Sequence, residues 1–214
     1  MSSPPHSPMS IEIVIASKNG HKVRELREIL KIVPHLDVLG LCDFPDYQPP
    51  EETGANFEEN AQIKAEHAAK SLQRWVIADD SGIVVPALGG APGVLSSRYA
   101  GNNATDFENR KKLLEDMKHL MDDDRQAFFE CCIVLAAPSG MKKCVKGTCE
   151  GTLAMKDRGG GGFGYDPLFI KHGYNKTFAE LGESVKNRIS HRRKAIDKIL
   201  FSLESFLRNT PENN

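Results

Sequence analysis

No stretch of the 214-residue sequence approaches the roughly 20 consecutive apolar residues that a membrane-spanning helix requires, so no membrane partner is expected. Cationic excess is missing as well, since 28 Lys and Arg stand against 29 Asp and Glu. That balance offers no extended field for a nucleic acid, and a small anionic ligand would have to be held by local charges. The five cysteines, Cys42, Cys131, Cys132, Cys144 and Cys149, include no CxxC pair. This speaks against a zinc site and a disulfide framework, and a reducing, cytoplasmic location is expected. The opening MSSPPHSPMS has no apolar core, so residues 1–10 are expected to be a disordered tail and neither leader nor anchor. What is present is one domain's worth of chain, expected at 11–208 with a second tail at 209–214, and 40% hydrophobic residues suffice for its core.

The chain is organised around residues 75–86, WVIADDSGIVVP, which read as an apolar strand, a polar break at Asp79, Asp80, Ser81 and Gly82, and a second β-branched strand. Carboxylates at the mouth of a core sheet cost free energy unless they are solvated, hydrogen-bonded or bound to a cation. An Asx-type turn with Gly82 at positive φ is one way to accommodate them. If extended backbone instead runs through the break, Asp79 and Asp80 point to opposite faces and only one of them meets a given site.

Residues 11–16, IEIVIA, form a strand that runs into a polar loop, Ser17 to Lys22, and then a helix with Val23, Leu26, Ile29, Leu30 and Val33 on one face. Such a loop exposes backbone N–H groups at the positive end of a helix dipole and favours a phosphate. Ser17, Lys18, Asn19 and Lys22 add donors and charge, although the stretch is neither a Walker loop nor GxGxxG, and a plain connection is the alternative. A short strand at 38–41 precedes a helix at 57–72, with Asn60 and Lys64 one turn apart beside its apolar face. Glu51 and Glu52 stand before that helix, as caps of its dipole or as metal ligands. Residues 88–101 suit a loop folded over a site, Thr105 and Glu108 have capping-box spacing, and 126–137 with 141–150 read as an antiparallel hairpin. The four glycines of GGGGFGYDPLF at 159–169 either make a hinge or let backbone pass close to a ligand. Phe163 and Tyr165 beside Gly164 offer faces to a planar base, or pack in the core, and Asp166 with Pro167 fixes a turn. Near the end stand Lys186, Ser190, His191 and Arg192. The apolar spacing from Ile189 through Ile196 to Leu203 puts His191 and Arg192 off the buried stripe, facing solvent.

Several of these stretches occur in one order: Ser17, Asn19 and Lys22 as SxNxxK; Glu52, Thr53 and Gly54 followed by FEENAQIKA at 57–65; ADDSG at 78–82; GGAPG at 89–93 with SSRY at 96–99; GGFGYDPLF at 161–169; and SHR at 190–192. Together they resemble the inosine triphosphate pyrophosphatase family of non-standard purine nucleotide pyrophosphatases, bacterial type, from about Ile11 to Leu207. Departures are small: Ser17 and Lys18 stand where Thr and Gly are common, and four glycines precede Phe163 where two are usual. The resemblance implies an α/β fold in which a long mixed β-sheet and flanking helices form two lobes around a central cleft. It implies a homodimeric, Mg²⁺-dependent enzyme that cleaves the α,β bond of inosine, xanthosine or deoxyinosine triphosphate to monophosphate and pyrophosphate, keeping such nucleotides out of DNA and RNA. Asp80 would be the proton acceptor and, with Glu52, a metal ligand, with Glu51 the alternative to Glu52 and Asp79 structural. Ser17, Lys18, Asn19, Gly20, His21, Lys22 and Lys186 would hold the substrate's phosphate end, Ser81 would also bind substrate, and Phe163, Gly164, Tyr165, Asp166, His191 and Arg192 would frame the base. Arg192, or a backbone N–H near Phe163, would supply the donor that reads a 6-keto purine. The alternatives are a septum-inhibitor-like pyrophosphatase for modified pyrimidine or methylated guanine nucleotides, a non-hydrolysing nucleotide sensor, and an RNA-binding module using the basic run after His191.

Overall fold

Runs rich in Val and Ile form the strands of one sheet in the computed structural model, which describes residues 11–208; the tails expected at 1–10 and 209–214 lie outside the described residues. The strands are β1 (Ile11–Ile15), β2 (Leu36–Gly40), β3 (Val76–Val84), β4 (Gln126–Ala137), β5 (Gly140–Leu153) and β6 (Phe169–Lys171), in spatial order β2-β1-β3-β4-β5-β6. β2, β1 and β3 are parallel, and β4, β5 and β6 continue the sheet antiparallel. Parallel neighbours need crossovers, which α1 (Gly20–Leu30) and α2 (Phe57–Leu72) provide, whereas β4 and β5 need only a tight turn. α3 (Asp106–Asp116) lies between β3 and β4, and α4 (Phe178–Leu181), α5 (Glu183–Ile189) and α6 (His191–Arg208) follow β6. The mixed sheet with flanking helices agrees with the fold expected from sequence.

Alternation along the strands divides the core by face. Ile13, Ile15, Ile77 and Ile133 pack against Leu26 and Ile29 of α1 and Ile196 and Ile199 of α6. On the other face, Val14, Val76, Ala78 and Val134 meet the alanines of α2, whose small side chains let the helix lie close to the sheet. A third cluster gathers Ile83, Leu113, Phe129, Leu168, Phe169 and Phe178 beyond the first two. β3 and β4 run from one set of clusters to the other, and this continuity gives two lobes on one sheet.

The polar break expected in residues 79–82 is absent. β3 passes straight through it, with Asp79 opposite Ile133, Asp80 opposite Cys132, Ser81 opposite Cys131 and Gly82 opposite Glu130. Gly82 has no positive φ, so the Asx-turn alternative is overturned. Gly82 serves a different need, because a Cβ there would stand 2.6 Å from Gly93 O and against the Ser96 side chain. That close approach seats the 3-10 segment Gly93–Arg98, whose Ser96 Oγ accepts from Ile83 N at 3.0 Å. Gly82→Ala is therefore expected to cost about 2 kcal/mol, the usual range for overpacking. Thermal unfolding checks this, and an unchanged midpoint would show that the segment can retreat freely.

Candidate active site

The continuous strand settles the orientation of the two aspartates. Asp79 points to the α1 and α6 face, and Asp80 to the α2 face. Each finds cations there that are far away in sequence. Asp80 accepts from Lys64 Nζ at 2.8 Å and from Asn60 Nδ2 at 3.3 Å, two residues one turn apart on α2. The same Lys64 ammonium donates to Asp79 O at 2.9 Å and Glu52 Oε1 at 3.2 Å, so it stands between the carboxylates of Glu52 and Asp80. Burial raises the pKa of Asp80 above the usual aspartate value despite the pull of Lys64 and Lys22, and Glu52 adds to the rise. A carboxylate tuned upward in this way is a stronger proton acceptor once ionised. Lys64 stays protonated, because the attraction of Asp80 and Glu52 outweighs its desolvation.

Asp79 anchors a row of alternating charges under the opposite face. Lys22 Nζ lies 2.7 Å from its Oδ1, Arg192 Nε donates to its Oδ2 at 3.1 Å, and Cys131 Sγ donates to Oδ2 at 2.9 Å. Arg192 continues to Glu25 of α1, Glu25 Oε1 lies 2.7 Å from Lys186 Nζ, and Lys186 lies 2.5 Å from Asp166 Oδ2. Burial would raise the pKa values of Asp79 and Glu25, but Arg192 with Lys22 or Lys186 more than offsets it and both are lowered. Asp166 goes the other way, because its desolvation exceeds the help from Lys186.

The row joins the loop after β1 to the glycine-rich stretch. At the first end, Asn19 caps α1 by accepting from His21 N at 3.0 Å and Lys22 N at 3.2 Å, and Ser17 Oγ accepts from Asn19 N at 3.1 Å. These side chains shape the loop, and Lys18 and Lys22 supply its charge. At the other end, Asp166 Oδ2 also accepts from Phe163 N at 3.0 Å. The backbone reason for glycine appears at Gly162, where φ is +73° and a Cβ would lie 2.9 Å from Asp166 Cβ. Phe163 carries His21 against its ring at a centroid distance of 5.1 Å and the Lys186 ammonium 4.3 Å from its centroid. The Tyr165 hydroxyl donates to Ser96 O at 2.8 Å, which ties the residue to the 3-10 segment while it lines the cleft.

His191 and Arg192 are 3% and 1% exposed, which corrects the solvent-facing position expected from the apolar stripe. The stripe supposes one helix, but α5 ends at Ile189, Ser190 is extended, and α6 begins anew at His191. The His191 ring stacks on Phe129 at 4.6 Å, and its buried Nδ1 has no hydrogen-bond partner. Burial, reinforced by Arg192 and Lys186, holds its pKa well below the ordinary value, so the ring is neutral at pH 7. The Arg192 guanidinium is spent on Asp79, Glu25 and Ser81 Oγ, the last at 3.0 Å. In this arrangement it supports β3 and is not part of the cleft lining, although its partner Ser81 is.

These parts enclose a cleft of about 410 Å³, within the range of pockets for small organic ligands. Its lining includes Ser17, Lys18, Asn19 and Lys22 of the loop after β1, Glu52, Asp80 and Ser81, and Phe163, Gly164, Tyr165 and Asp166 with Lys186 and His191. Gly20, His21 and Arg192 do not line it: Gly20 starts α1, His21 covers Phe163 from outside, and Arg192 lies beneath. Sequence reading passed over Lys64, Asn60, Glu25 and Asp106 as site residues. Lys64 had a visible signal in its spacing from Asn60 along an alanine-rich helix, and Glu25 had one in standing four residues before Ile29 on a buried helix face.

A mixed α/β sheet with a cationic loop, two converging carboxylates and an aromatic wall around one cleft defines a protein that handles small phosphorylated ligands bearing a planar ring. The chain belongs to the Ham1 family, whose model matches residues 13–201. It is 56% identical over 196 residues to the dITP/XTP pyrophosphatase of Protochlamydia amoebophila (strain UWE25), covering 91% of this chain and 98% of that one. It is 50% identical over 200 residues to the dITP/XTP pyrophosphatase of Chlamydia trachomatis serovar L2, covering 93% of this chain and 96% of the relative. The solved structure of the Staphylococcus aureus Ham1 protein superposes with a TM-score of 0.80 at 45% identity, covering 91% of this chain and 99% of that one. Among the described residues, no helix is long and apolar enough to cross a membrane.

Proposed function

We propose that this chain is a dITP/XTP pyrophosphatase that hydrolyses deoxyinosine, inosine and xanthosine triphosphates to the monophosphate and pyrophosphate, removing them from the nucleotide pool. The family membership and the activity named for relatives matched over nearly their whole length support this reading. The observation that carries it is the convergence of Asp80 and Glu52 on one ammonium in a cleft that Phe163 and His191 also line.

Hydrolysis at the α-phosphorus places negative charge on the departing pyrophosphate and leaves the protein chiefly positioning and electrostatic work. Lys22 and Lys186 stand at the cleft as fixed point charges for the phosphate chain, and Lys18 adds a third at the rim. Asp80 is placed to orient the attacking water and take its proton, and its raised pKa suits that task. Asn60 and Lys64 hold its carboxylate in one rotamer. The donor set fits a hard divalent cation such as Mg²⁺, because Asp80 and Glu52 present carboxylate oxygens already gathered around a positive charge, whereas Glu51 does not line the cleft. Among the described residues there is no group of three or more His, Cys, Asp or Glu placed to hold a metal ion, so water and phosphate oxygens would complete the shell. Such an ion neutralises charge on the phosphate oxygens when bound.

At the base end, Phe163 lines the cleft with His21 and the Lys186 ammonium against its ring, and is the aromatic group that stacks on the purine in this reading. The N–H groups of Phe163 and Gly164 are committed to Asp166 and Asp106, and the unpartnered Nδ1 of His191, which also lines the cleft, is a polar atom for the purine edge in this reading. A base offering the wrong donor or acceptor there leaves a buried polar group unpaired, at a cost of about 1–3 kcal/mol. A homodimer is the assembly this reading expects, with exposed Leu95, Phe107 and Met121 available for contact, and five free thiols suit a cytoplasmic location.

The test is pyrophosphate release across a triphosphate panel with and without Mg²⁺. Rapid, Mg²⁺-dependent release from deoxyinosine, inosine and xanthosine triphosphates is expected, with adenosine and guanosine triphosphates slower by about 100-fold or more. Faster turnover of modified pyrimidine or methylated guanine nucleotides would move the chain to the neighbouring pyrophosphatase class. No release from any triphosphate would make it a sensor.

A further inference from the structure

The glycine-rich stretch must be held still if Phe163 is to present a fixed face, because consecutive glycines lose much conformational entropy on ordering. The inner side of the stretch is held by Asp166 and Lys186. The outer side is held by a helix that the mechanism does not use. Asp106, the first residue of α3, accepts from Gly164 N at 2.7 Å, and Arg110 one turn later donates from Nη1 to Gly164 O at 2.8 Å. Both polar groups of one glycine, itself at φ +59°, are thus fixed by two side chains four positions apart. Arg110 is in turn braced by Asp157 at 2.9 Å from Nε.

The same helix turn also grips the neighbouring loop. Asn109, buried between the two, accepts from Ala100 N at 2.8 Å and donates to Ser97 O at 3.1 Å. Ser97, Asp106 and Gly164 all line the cleft. The first turn of α3 therefore ties together two stretches of irregular backbone that form the wall beside the aromatic ring.

We propose that the first turn of α3 is a clip that sets the base pocket, with Asp106 and Arg110 acting as positioning residues for Phe163 through the backbone of Gly164. The inference rests on the reading of Phe163 as the base-stacking ring. Asp106 touches the cleft through its hydrogen bond to the loop, and loosening it frees the ring without touching Asp80, Glu52 or the lysines of the loop after β1. An acidic residue in a first helical turn also favours the helix dipole, and that bland role predicts a different response to substitution.

The experiment compares steady-state hydrolysis of deoxyinosine triphosphate by the wild-type chain, Asp106→Ala, Asp106→Asn, Arg110→Ala and Phe163→Ala, with inorganic pyrophosphate as a competing inhibitor. Asp106→Ala and Arg110→Ala are each expected to raise KM about tenfold, the worth of one charge-assisted hydrogen bond, with kcat within about twofold. The inhibition constant of pyrophosphate, which needs no base pocket, should stay unchanged, and the preference for deoxyinosine over deoxyadenosine triphosphate should fall by a similar factor. Asp106→Asn keeps an acceptor for Gly164 N without the charge, so it should restore KM to within about threefold of wild type if the hydrogen bond matters. If Asn behaves like Ala, or if pyrophosphate inhibition weakens together with KM, the clip is overturned in favour of a general helix-stability role. A Phe163→Ala variant with raised KM beside clip variants with normal KM overturns the clip alone, whereas a normal KM in Phe163→Ala removes the base-site reading beneath it.

Discussion

Asp80→Asn is expected to lower pyrophosphate release from deoxyinosine triphosphate by about a thousandfold while the chain stays folded. Asn has the same shape but neither takes a proton at neutral pH nor offers a charged oxygen to a cation. The fold should tolerate it, because burial already raises the pKa of Asp80 and so disfavours its charged form. The neutral side chain removes that desolvation cost, and Lys64 keeps Glu52 at 3.2 Å and Asp79 O at 2.9 Å. Steady-state kinetics and a thermal melt on one preparation decide the matter. Turnover within about tenfold of wild type would show that proton transfer is handled elsewhere, since loss of a positioned general base ordinarily costs 10²-fold or more, on the order of 10²–10⁴.

The second large effect concerns stability. Glu25→Gln removes one negative charge between Arg192 and Lys186, both almost fully buried, and leaves an uncompensated positive charge in the row. Breaking a buried ion pair from one side costs about 3–5 kcal/mol, and in a chain of this size that should lower the unfolding midpoint at pH 7 by roughly 10 °C. The sign of the pH dependence follows from the direction of the shift. Burial raises the pKa of Glu25, Arg192 and Lys186 lower it by more, and the folded value lies below 4.5. Its contribution is therefore fully present above pH 4.5 and is lost as pH falls through the folded value. The gap between wild type and variant should close on the acid side, and equal midpoints at pH 7 would mean that water or relaxation already screens the row.

Elements set by local periodicity were legible in the sequence. The helix at 57–72 and the strand at 126–137 appear with those bounds, and the capping box of Thr105 and Glu108 starts α3 as the spacing predicts. The loop after β1, the two acids and the glycine-rich stretch do meet at one cleft. What could not be read was how β3 tolerates its carboxylates. The charges that permit extended backbone at Asp79 come from Lys22 on α1 and from Arg192, which is 113 positions away. Local propensity sees two aspartates and a glycine and proposes a turn, whereas tertiary ion pairing makes a strand. His191 was misplaced for a related reason. The restart of the helix after Ser190 carries no proline or glycine to announce it, so a single apolar period spans two helices.

The row of charges along the cleft pairs three cations, Lys22, Arg192 and Lys186, with three carboxylates, Asp79, Glu25 and Asp166. Its neutrality belongs to the set and to no single member, so an isolated replacement anywhere along it strands a charge in low dielectric. Drift at these six positions is thereby confined to concerted exchanges, and a designer who wishes to recolour this interior must change neighbours in opposite-sign couples.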